Sequence, residues 1–302
     1  MLAARRRWGP ISATYGDFAA NVPQVLIAEL PPTPPASMVS KAPQYVRRDD
    51  SQFPVQRALL DPSWPTPGGP TPPPGVDVSN WEGLIDWPTV ANPPLREGQV
   101  PAPRTVRFAF TKATQGTYRD PFFAGNWQGM AAAGLIRGVY DFGDFTKNPV
   151  LDARYFVDYV NSAGGFRAAG DFAVLDAEGK TGKKKKKAIV KWINRWTKEV
   201  QRLTGLPNKR MVIYTGSWWW GPKTGNSTKF AKKGYRLWAS GYGAQPAIRG
   251  WKWSWWQYTD RAKVPGIKGG TDANVWKGSN ESLRKAAGLP ALPPVAPLPQ
   301  SK

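Results

Sequence analysis

The sequence predicts an α/β fold, an irregular TIM-like β/α barrel of eight strands with an extended Pro-rich N-terminal arm. Eight short apolar runs follow one another along the chain, and helical patterns fill several of the intervals between them. Strands that alternate with helices indicate βαβ units and a parallel sheet, and eight such strands can close into a barrel. The third observation concerns the N-terminal flank, since 15 of the 31 prolines precede Gly75.

The Pro-rich flanks set the predicted domain boundaries. Residues 1–74 form an arm and linker, and the composition of their final run, 62–74, is typical of an extended, semi-rigid chain. The earlier part either orders against a partner or is a disordered tail, and both interpretations stay open. Residues 75–288 form the predicted domain, and residues 289–302 form a Pro-rich C-terminal tail.

Each apolar run marks one predicted strand. The later runs are separated by short stretches without an obvious helical pattern, so we expect the barrel to be irregular. The predicted strands comprise residues 75–79, 106–112, 136–142, 172–178, 211–215, 236–240, 255–259 and 272–276. Helices are predicted over residues 122–133, 153–163 and 188–203.

The composition excludes several classes of enzyme. The chain contains no His and no Cys, so Ser-His-Asp and Cys-His hydrolases are excluded, as are zinc sites with His or Cys ligands. We expect no cofactor and no metal. If the protein is an enzyme, its acids and bases are therefore carboxylates.

The net charge of +21 favours an anionic partner. Nucleic acid, anionic lipid headgroups and anionic cell-wall polymers all fit such a surface, and solubility alone is the remaining explanation. Lys183–Lys187 follow one another in the sequence. They either form a solvated loop or bind an anionic polymer electrostatically, and the sequence does not distinguish between these interpretations.

The N-terminal sequence does not have the pattern of a Sec signal peptide. The basic start at Met1–Trp8 is not followed by an apolar stretch, and no apolar run in the chain is long enough to span a bilayer. If the protein acts outside the cell that made it, we expect another route of delivery.

Carboxylates lie on several of the predicted strands. Asp176 and Glu178 end the fourth strand and, because strand side chains alternate, point to the same side. In a β/α barrel the working residues sit at the carboxyl ends of the strands. The other predicted site residues on these strands are Asp77, Tyr140, Asp141, Tyr214, Trp238, Gln257 and Asp272, the last towards the beginning of its strand.

Such a group of acids is suited to glycoside hydrolysis. One carboxylic acid must donate a proton to the leaving oxygen, while a second carboxylate supports the oxocarbenium-like transition state. We assign the acid to Glu178, whose longer side chain reaches further into a cleft. Asp77, Asp176 and Asp272 would supply the negative charge that keeps it protonated. The 16 tryptophans add flat faces on which sugar rings can stack, and the run Trp218–Trp220 cannot all face one way.

Residues 75 to about 278 resemble glycoside hydrolase family 25, the Chalaropsis-type lysozymes. The individual motifs are short, but their order and spacing over some 200 residues is specific. The matching motifs are GVDVS at 75–79 with IDW at 85–87, FTKATQG at 110–116, AGLIRGVY at 133–140, LDAE at 175–178, IYT at 213–215, WQYT at 256–259, VPGI at 264–267 and DAN at 272–274.

The resemblance implies an irregular β/α barrel and muramidase activity, the cleavage of the β-1,4 bond between N-acetylmuramic acid and N-acetylglucosamine in peptidoglycan. It implies that Glu178 is the general acid and that Asp176 orients the substrate acetamido group or stabilises charge. Asp77 and Asp272 would be flanking acids. The residues expected to contact substrate are Tyr140, Asp141, Tyr214, Trp238 and Gln257.

Two positions depart from the family pattern. Asp141 stands where the family often has His, and Gln115 stands where it usually has Glu. We expect the first change to alter the charge inside the cleft and to shift the pH optimum. It also allows an alternative, a non-catalytic wall-binding or structural virion protein on the same barrel. A metal-dependent nuclease is a further alternative, although nucleic acid is the less favoured partner.

The flanks suggest a phage product. A lysozyme-like domain with a Pro-rich arm and without a secretion signal fits an endolysin that is released from the host cytoplasm. It also fits a virion-mounted lysin in which residues 1–74 bind tail proteins, and we favour this second interpretation because the arm precedes the domain and shows no recognisable wall-binding repeat.

Overall fold

Pairing of the first strand with the second closes the sheet into a barrel. The computed structural model describes residues 72–94, 106–242 and 245–291, so the arm up to residue 71 and the tail from residue 292 lie outside the described residues. Within these ranges the strands are β1 (Pro74–Val78), β2 (Phe108–Gln115), β3 (Tyr118–Arg119), β4 (Ile136–Phe142), β5 (Asp171–Asp176), β6 (Met211–Gly216), β7 (Arg236–Ser240), β8 (Trp255–Ala262) and β9 (Thr271–Trp276).

The strand order is β1-β9-β8-β7-β6-β5-β4-β2-β3, with β1 also paired to β2. Eight strands thus form the closed barrel, as predicted, and β3 is an additional short strand beside β2. The prediction of a parallel sheet is wrong for the last barrel strand, because β9 runs antiparallel to both β8 and β1. The connection from β8 to β9 contains no helix, and a short connection joins antiparallel rather than parallel neighbours.

The three predicted helices are confirmed, with shifted ends. One of them begins at Pro149, earlier than predicted, because Asn148 Oδ1 accepts from the N–H of Val150 and proline fits the first helical position. Short helices between β6 and β7 were not predicted. The helices are α1 (Trp87–Ala91), α2 (Phe123–Ala132), α3 (Pro149–Ser162), α4 (Lys186–Thr204), α5 (Ser217–Thr224), α6 (Lys229–Lys232) and α7 (Asn280–Ala286).

Large aromatic side chains fill the inside of the barrel. Phe110 packs against Trp238 and Trp255, at ring-centroid distances of 4.4 and 5.5 Å. Gly138, on the neighbouring strand, leaves room for this ring, since a Cβ there would lie 1.8 Å from the Phe110 side chain. Leu283 of α7 is fully buried in the same cluster, so α7 covers the end of the barrel opposite the carboxyl ends of the parallel strands.

A second apolar layer lies between the barrel and helices α2 to α6. Pro74 belongs to β1, and Leu289 packs against the barrel cluster. The domain boundaries themselves stay a prediction. None of the helices described by the structure is long and apolar enough to cross a membrane.

Candidate active site

Six carboxylic acids line a pocket at the carboxyl ends of the parallel strands, the four predicted acids together with Glu82 and Asp260. Asp77 comes from β1, Asp176 ends β5, and Glu178 follows it by two residues. Asp272 is the second residue of β9 and pairs across the sheet with Asp77. Because β9 is antiparallel, its beginning lies at the same end of the barrel as the carboxyl end of β1. This explains how an acid at the start of a strand reaches the mouth.

The structure brings together all but one of the predicted site residues. The pocket is lined by Asp77, Tyr140, Asp176, Glu178, Tyr214, Trp238, Gln257 and Asp272. Their proximity is a structural finding. The chemical role assigned to each of them stays a prediction.

Asp141 is the exception, and its expected position in the cleft is wrong. Its side chain is fully buried on the outer side of β4, where Oδ1 accepts from the Thr114 hydroxyl at 2.7 Å and Oδ2 accepts from Trp196 Nε1 at 3.1 Å. Neighbouring residues of a strand face opposite sides, so Tyr140 and Asp141 cannot both line the cleft. The departure from the family pattern therefore alters a packing layer behind the barrel wall.

Asp141 shares its layer with a second buried acid, Asp152 of α3, to which it is hydrogen-bonded. Burial raises the pKa of Asp152 to about 10, and the negative charge of Asp141 adds to this shift. Burial raises the pKa of Asp141 to about 6, while its hydrogen bonds oppose the shift. We infer that Asp152 holds the proton and donates it to the Asp141 carboxylate.

In the pocket, Asp77 and Asp272 form another hydrogen-bonded pair. Gln257 Nε2 donates to the two oxygens of Asp77 at 3.1 and 3.0 Å and lies 3.2 Å from Asp272 Oδ2. Asn274 Nδ2 donates to Asp77 at 2.6 Å. Burial raises the pKa of Asp77 to about 6, although these donors lower it, and burial followed by the charge of Asp77 raises the pKa of Asp272 well above its usual range. We infer that Asp272 holds the proton of the pair and donates it to the Asp77 carboxylate.

Two aromatic side chains orient these amides. The Tyr214 hydroxyl donates to Gln257 Oε1 at 2.7 Å, and Trp238 Nε1 donates to Asn274 Oδ1 at 2.7 Å. Each amide oxygen is thereby occupied by a donor, so each amide N–H₂ faces the acids. Tyr214 and Trp238 thus serve the site by positioning as well as by lining it.

Asp176 and Glu178 differ in exposure. Asp176 is buried at the end of β5 and its Oδ1 atom has no hydrogen-bond partner, whereas Glu178 is half-buried. Burial, and after it the negative charge of Glu178, raises the pKa of Asp176 well above its usual range. Deeper placement therefore favours the protonated form of Asp176 in the free site. The assignment of the general acid to Glu178 stays a prediction.

The backbone around Glu178 is fixed by close contacts. A Cβ at Gly179 would lie 2.3 Å from the carbonyl oxygen of Gly143, so only glycine fits there. Trp219 Nε1 donates to the Gly179 carbonyl at 3.1 Å, and the Thr215 hydroxyl donates to the Ala177 carbonyl at 2.8 Å. These contacts hold the short segment that projects Glu178 into the pocket.

Lys112 is a site residue that the sequence interpretation missed. It lies in the pocket wall, 7% exposed, and its Nζ donates to Gln115 Oε1 at 2.6 Å. Burial lowers the pKa of Lys112, while the charges of Asp120 and Asp176 oppose this change. The signal was present in β2, where residues 108, 110 and 112 alternate inward and the third is charged.

Exposed indoles form part of the rim. Trp81 and Trp218 line the pocket and are 56% and 42% exposed. Trp219 and Trp220 are buried, which confirms that the three consecutive tryptophans cannot share one orientation. The described residues contain no cluster of three or more acidic side chains arranged to hold a metal ion.

Comparison with known proteins agrees with this architecture. The family model for glycosyl hydrolases family 25 matches residues 76–267. The chain is 37% identical to protein YegX of Escherichia coli O157:H7 over 213 residues, covering 70% of this chain and 71% of YegX. It is 30% identical to lysozyme M1 of Streptomyces globisporus, covering 69% of each chain.

A solved structure has the same fold. The bacterial lysozyme from Streptomyces coelicolor superimposes with a TM-score of 0.62 at 30% identity, covering 72% of this chain and 98% of that one. The match of the family model over most of the barrel, together with relatives of this identity and coverage, establishes the classification: the chain belongs to glycosyl hydrolase family 25.

Proposed function

We propose that this glycoside hydrolase is a muramidase that cleaves the β-1,4 bond between N-acetylmuramic acid and N-acetylglucosamine in peptidoglycan. The main support is the convergence of Asp77, Asp176, Glu178 and Asp272 on one pocket rimmed by exposed tryptophans. Similarity to lysozyme M1 and to the lysozyme of S. coelicolor supports the choice of substrate.

In the proposed mechanism Glu178 donates a proton to the leaving oxygen. The free site favours that proton on Asp176, which is buried and has an unpartnered Oδ1 atom. An acetamido N–H of the substrate that donates to Asp176 would favour its ionised form, and the proton of the pair would pass to Glu178. Substrate binding would thus prepare the acid for the chemical step.

The Asp77–Asp272 pair would contribute negative charge on the other side of the pocket. Gln257 and Asn274 stabilise the carboxylate of Asp77, which is placed to support the positive charge that develops on the sugar in the transition state. Lys112 would limit the repulsion between this pair and the ionised Asp176.

Hydrolysis of purified peptidoglycan tests the assignment. Glu178→Gln should lower the rate of turbidity loss by about 10²–10⁴-fold, the usual contribution of a general acid. Glu281→Gln, an exposed site at the far end of the barrel, is the matched control and should be fully active. The new reducing ends should be muramic acid; glucosamine ends, or an active Glu178→Gln protein, would contradict the proposal. Addition of a chelator should have no effect, whereas a metal-dependent nuclease would require its metal.

The non-catalytic alternative depended on Asp141 within the cleft. Since Asp141 lies behind the barrel wall, no observation on the described residues favours that alternative.

We further propose that the protein is phage-encoded and serves wall penetration or host lysis, with residues 1–74 as a virion anchor. The support is the composition of the sequence, a Pro-rich arm ahead of the hydrolase domain. Mass spectrometry of purified particles should detect the chain if it is mounted on the virion. Detection only in the host cytoplasm before lysis would indicate an endolysin, and a gene outside any phage or prophage would contradict both.

A further inference from the structure

One segment of the chain carries most of the net positive charge. Residues 180–233 contain sixteen Lys and Arg residues and one acidic residue, Glu199. Glu199 is already neutralised, because it forms ion pairs with Arg154 and Arg202 at 2.7 and 2.8 Å. Among the ion pairs of the described residues, none involves a lysine of this segment, so its ammonium groups are not neutralised by neighbouring carboxylates.

Four of these lysines line a groove between α4 and the α5–α6 segment. The groove is bordered by the exposed Lys186, Lys187 and Lys191 of α4 and by Lys229 of α6, with Asn194 and Ser227 between them. We call it the lysine groove. Asn194 Oδ1 accepts from Lys233 Nζ at 2.8 Å, which leaves the amide N–H₂ of Asn194 as a further donor. The first turn of α4 contains no acidic residue.

The lysine groove is close to the catalytic pocket. Helix α5 carries Trp218 of the pocket rim near its beginning and Thr224 of the groove lining at its end. Six residues of helix advance about 9 Å. A polymer that is bound in the groove would therefore lie next to the glycan strand that enters the pocket.

We propose that the lysine groove binds a phosphodiester polymer that the bacterial wall carries on its glycan. Compact ammonium groups suit phosphates, and a polymer with one uncompensated negative charge per repeat matches closely spaced lysines. Among the described residues that line the groove none is aromatic, whereas proteins that bind single-stranded nucleic acids use aromatic platforms. The inference rests on the proposed function in one respect, that the wall is where the protein acts.

Binding of purified poly(glycerol phosphate) tests this inference, with the full chain carrying Glu178→Gln so that catalysis plays no part. The groove variant combines Lys186→Gln, Lys187→Gln, Lys191→Gln and Lys229→Gln. We expect the Kd of the groove variant at about 0.1 M NaCl to rise at least about tenfold. The slope of log Kd against log salt should fall by about 3, because each phosphate that a lysine no longer neutralises lowers this slope by about 0.7. The matched control carries the same change of charge at exposed sites outside the segment, Lys252, Lys263, Lys268 and Lys285.

The control should lose less than about threefold in affinity, because it removes charge but leaves every lysine of the groove in place. Equal losses in the two variants would overturn the inference, as would failure of the wild-type groove to bind the polymer. Duplex DNA that binds as tightly, with the same loss in the groove variant, would identify a nucleic-acid site instead. Turnover of peptidoglycan stripped of phosphodiester polymer reports on the proposed function separately, and the groove variant in an otherwise wild-type chain should retain it.

Discussion

At the scale of single residues, two pairs of buried acids each share a proton, one pair in the pocket and the other behind the barrel wall. The two pairs differ in the residues that contact them. The Asp77–Asp272 pair lies in the pocket and is contacted by amide donors, whereas the Asp141–Asp152 pair lies behind the wall against Trp196 and Thr114. Buried neighbouring carboxyls resist ionising together, so each pair holds on to one proton. We expect the proton in the pocket to affect catalysis and the proton behind the wall to affect stability.

The Asp141–Asp152 pair predicts how stability depends on pH. Asp152 has an ordinary pKa of 3.8 and a native pKa of about 10, so the unfolded chain binds fewer protons than the native protein between these values. The free energy of unfolding therefore falls as pH rises through this window. Asp152→Asn keeps a donor for Asp141 but cannot titrate. We expect the Tm of this variant to exceed the wild-type Tm at pH 8 by several degrees, at about 2–4 °C per kcal/mol.

At pH 3 the advantage of Asp152→Asn should largely vanish, because the wild-type carboxyl, with its ordinary pKa of 3.8, is then protonated in the native state and largely so in the unfolded chain. Thermal unfolding at the two pH values measures the difference. A Tm increase of equal size at both would show that the gain comes from packing and not from titration.

Asn274 predicts the pH dependence of catalysis. Its hydrogen bond favours the ionised form of Asp77, whose pKa is about 6. Asn274→Ala removes this donor, so the pKa of Asp77 should rise and the acidic limb of the kcat profile should move to higher pH, by about one unit. The control is Asn126→Ala, since Asn126 likewise accepts from an indole N–H, that of Trp87, but lies outside the pocket. An unmoved limb would mean that ionised Asp77 is not required.

At the scale of the elements, each inward-facing position of a barrel strand is fitted to its neighbours. Gly75 and Gly138 sit opposite the rings of Phe108 and Phe110, and a Cβ on either glycine would overlap the ring. Such small–large alternation lets bulky rings fill a barrel of eight strands. The glycines are therefore needed for packing, not for an unusual backbone conformation.

Gly138→Ala should destabilise the barrel. Overpacking of a core typically costs about 1–3 kcal/mol, and here the added methyl group would meet Phe110 at 1.8 Å. The midpoint of urea unfolding measures the loss, and adding Phe110→Leu should recover part of it. Gly125→Ala is the matched control. Gly125 is exposed in α2 with no atom within 4 Å of the new methyl group, so we expect a gain of up to about 1 kcal/mol.

At the scale of the whole molecule, one end of the barrel is closed and the other carries the site. Helix α7 and the residue after it place Leu283 and Ala287 beneath the aromatic interior, and Arg210, just before β6, donates from Nη1 to the Ala287 carbonyl at 3.3 Å. Asp171, fully buried, accepts from both Arg137 and Arg167 near the same end. This closed end supports the open end, where the acids must be held in fixed positions.

Leu283→Ala should test this closure. Truncation of a fully buried leucine costs about 2–5 kcal/mol, and Leu283 is 0% exposed. Glu281→Ala on the same helix is exposed and should change the free energy of unfolding by less than about 0.5 kcal/mol. Because the cavity lies at the opposite end from the pocket, KM for peptidoglycan should not change below the unfolding transition. A changed KM would mean that α7 also shapes the site.

Much of this protein could be predicted from its sequence. The positions of the eight barrel strands and of the three longer helices follow from local patterns of apolar residues, which depend only on neighbours along the chain. The acids on those strands could be found in the same way, because a barrel collects the carboxyl ends of its parallel strands at one mouth.

Other features were decided only by the tertiary structure. The direction of β9, which brings Asp272 to the mouth, depends on how the last strand fits between β8 and β1. The atoms around each carboxyl decide the other features. They determine the side of β4 to which Asp141 points, its pairing with Asp152, and the protonation of Asp176. Local sequence sets strand and helix, whereas burial and the electrostatics of a site arise from residues far apart in the chain. For that reason four of the six pocket acids could be named in advance, but the location of their protons could not.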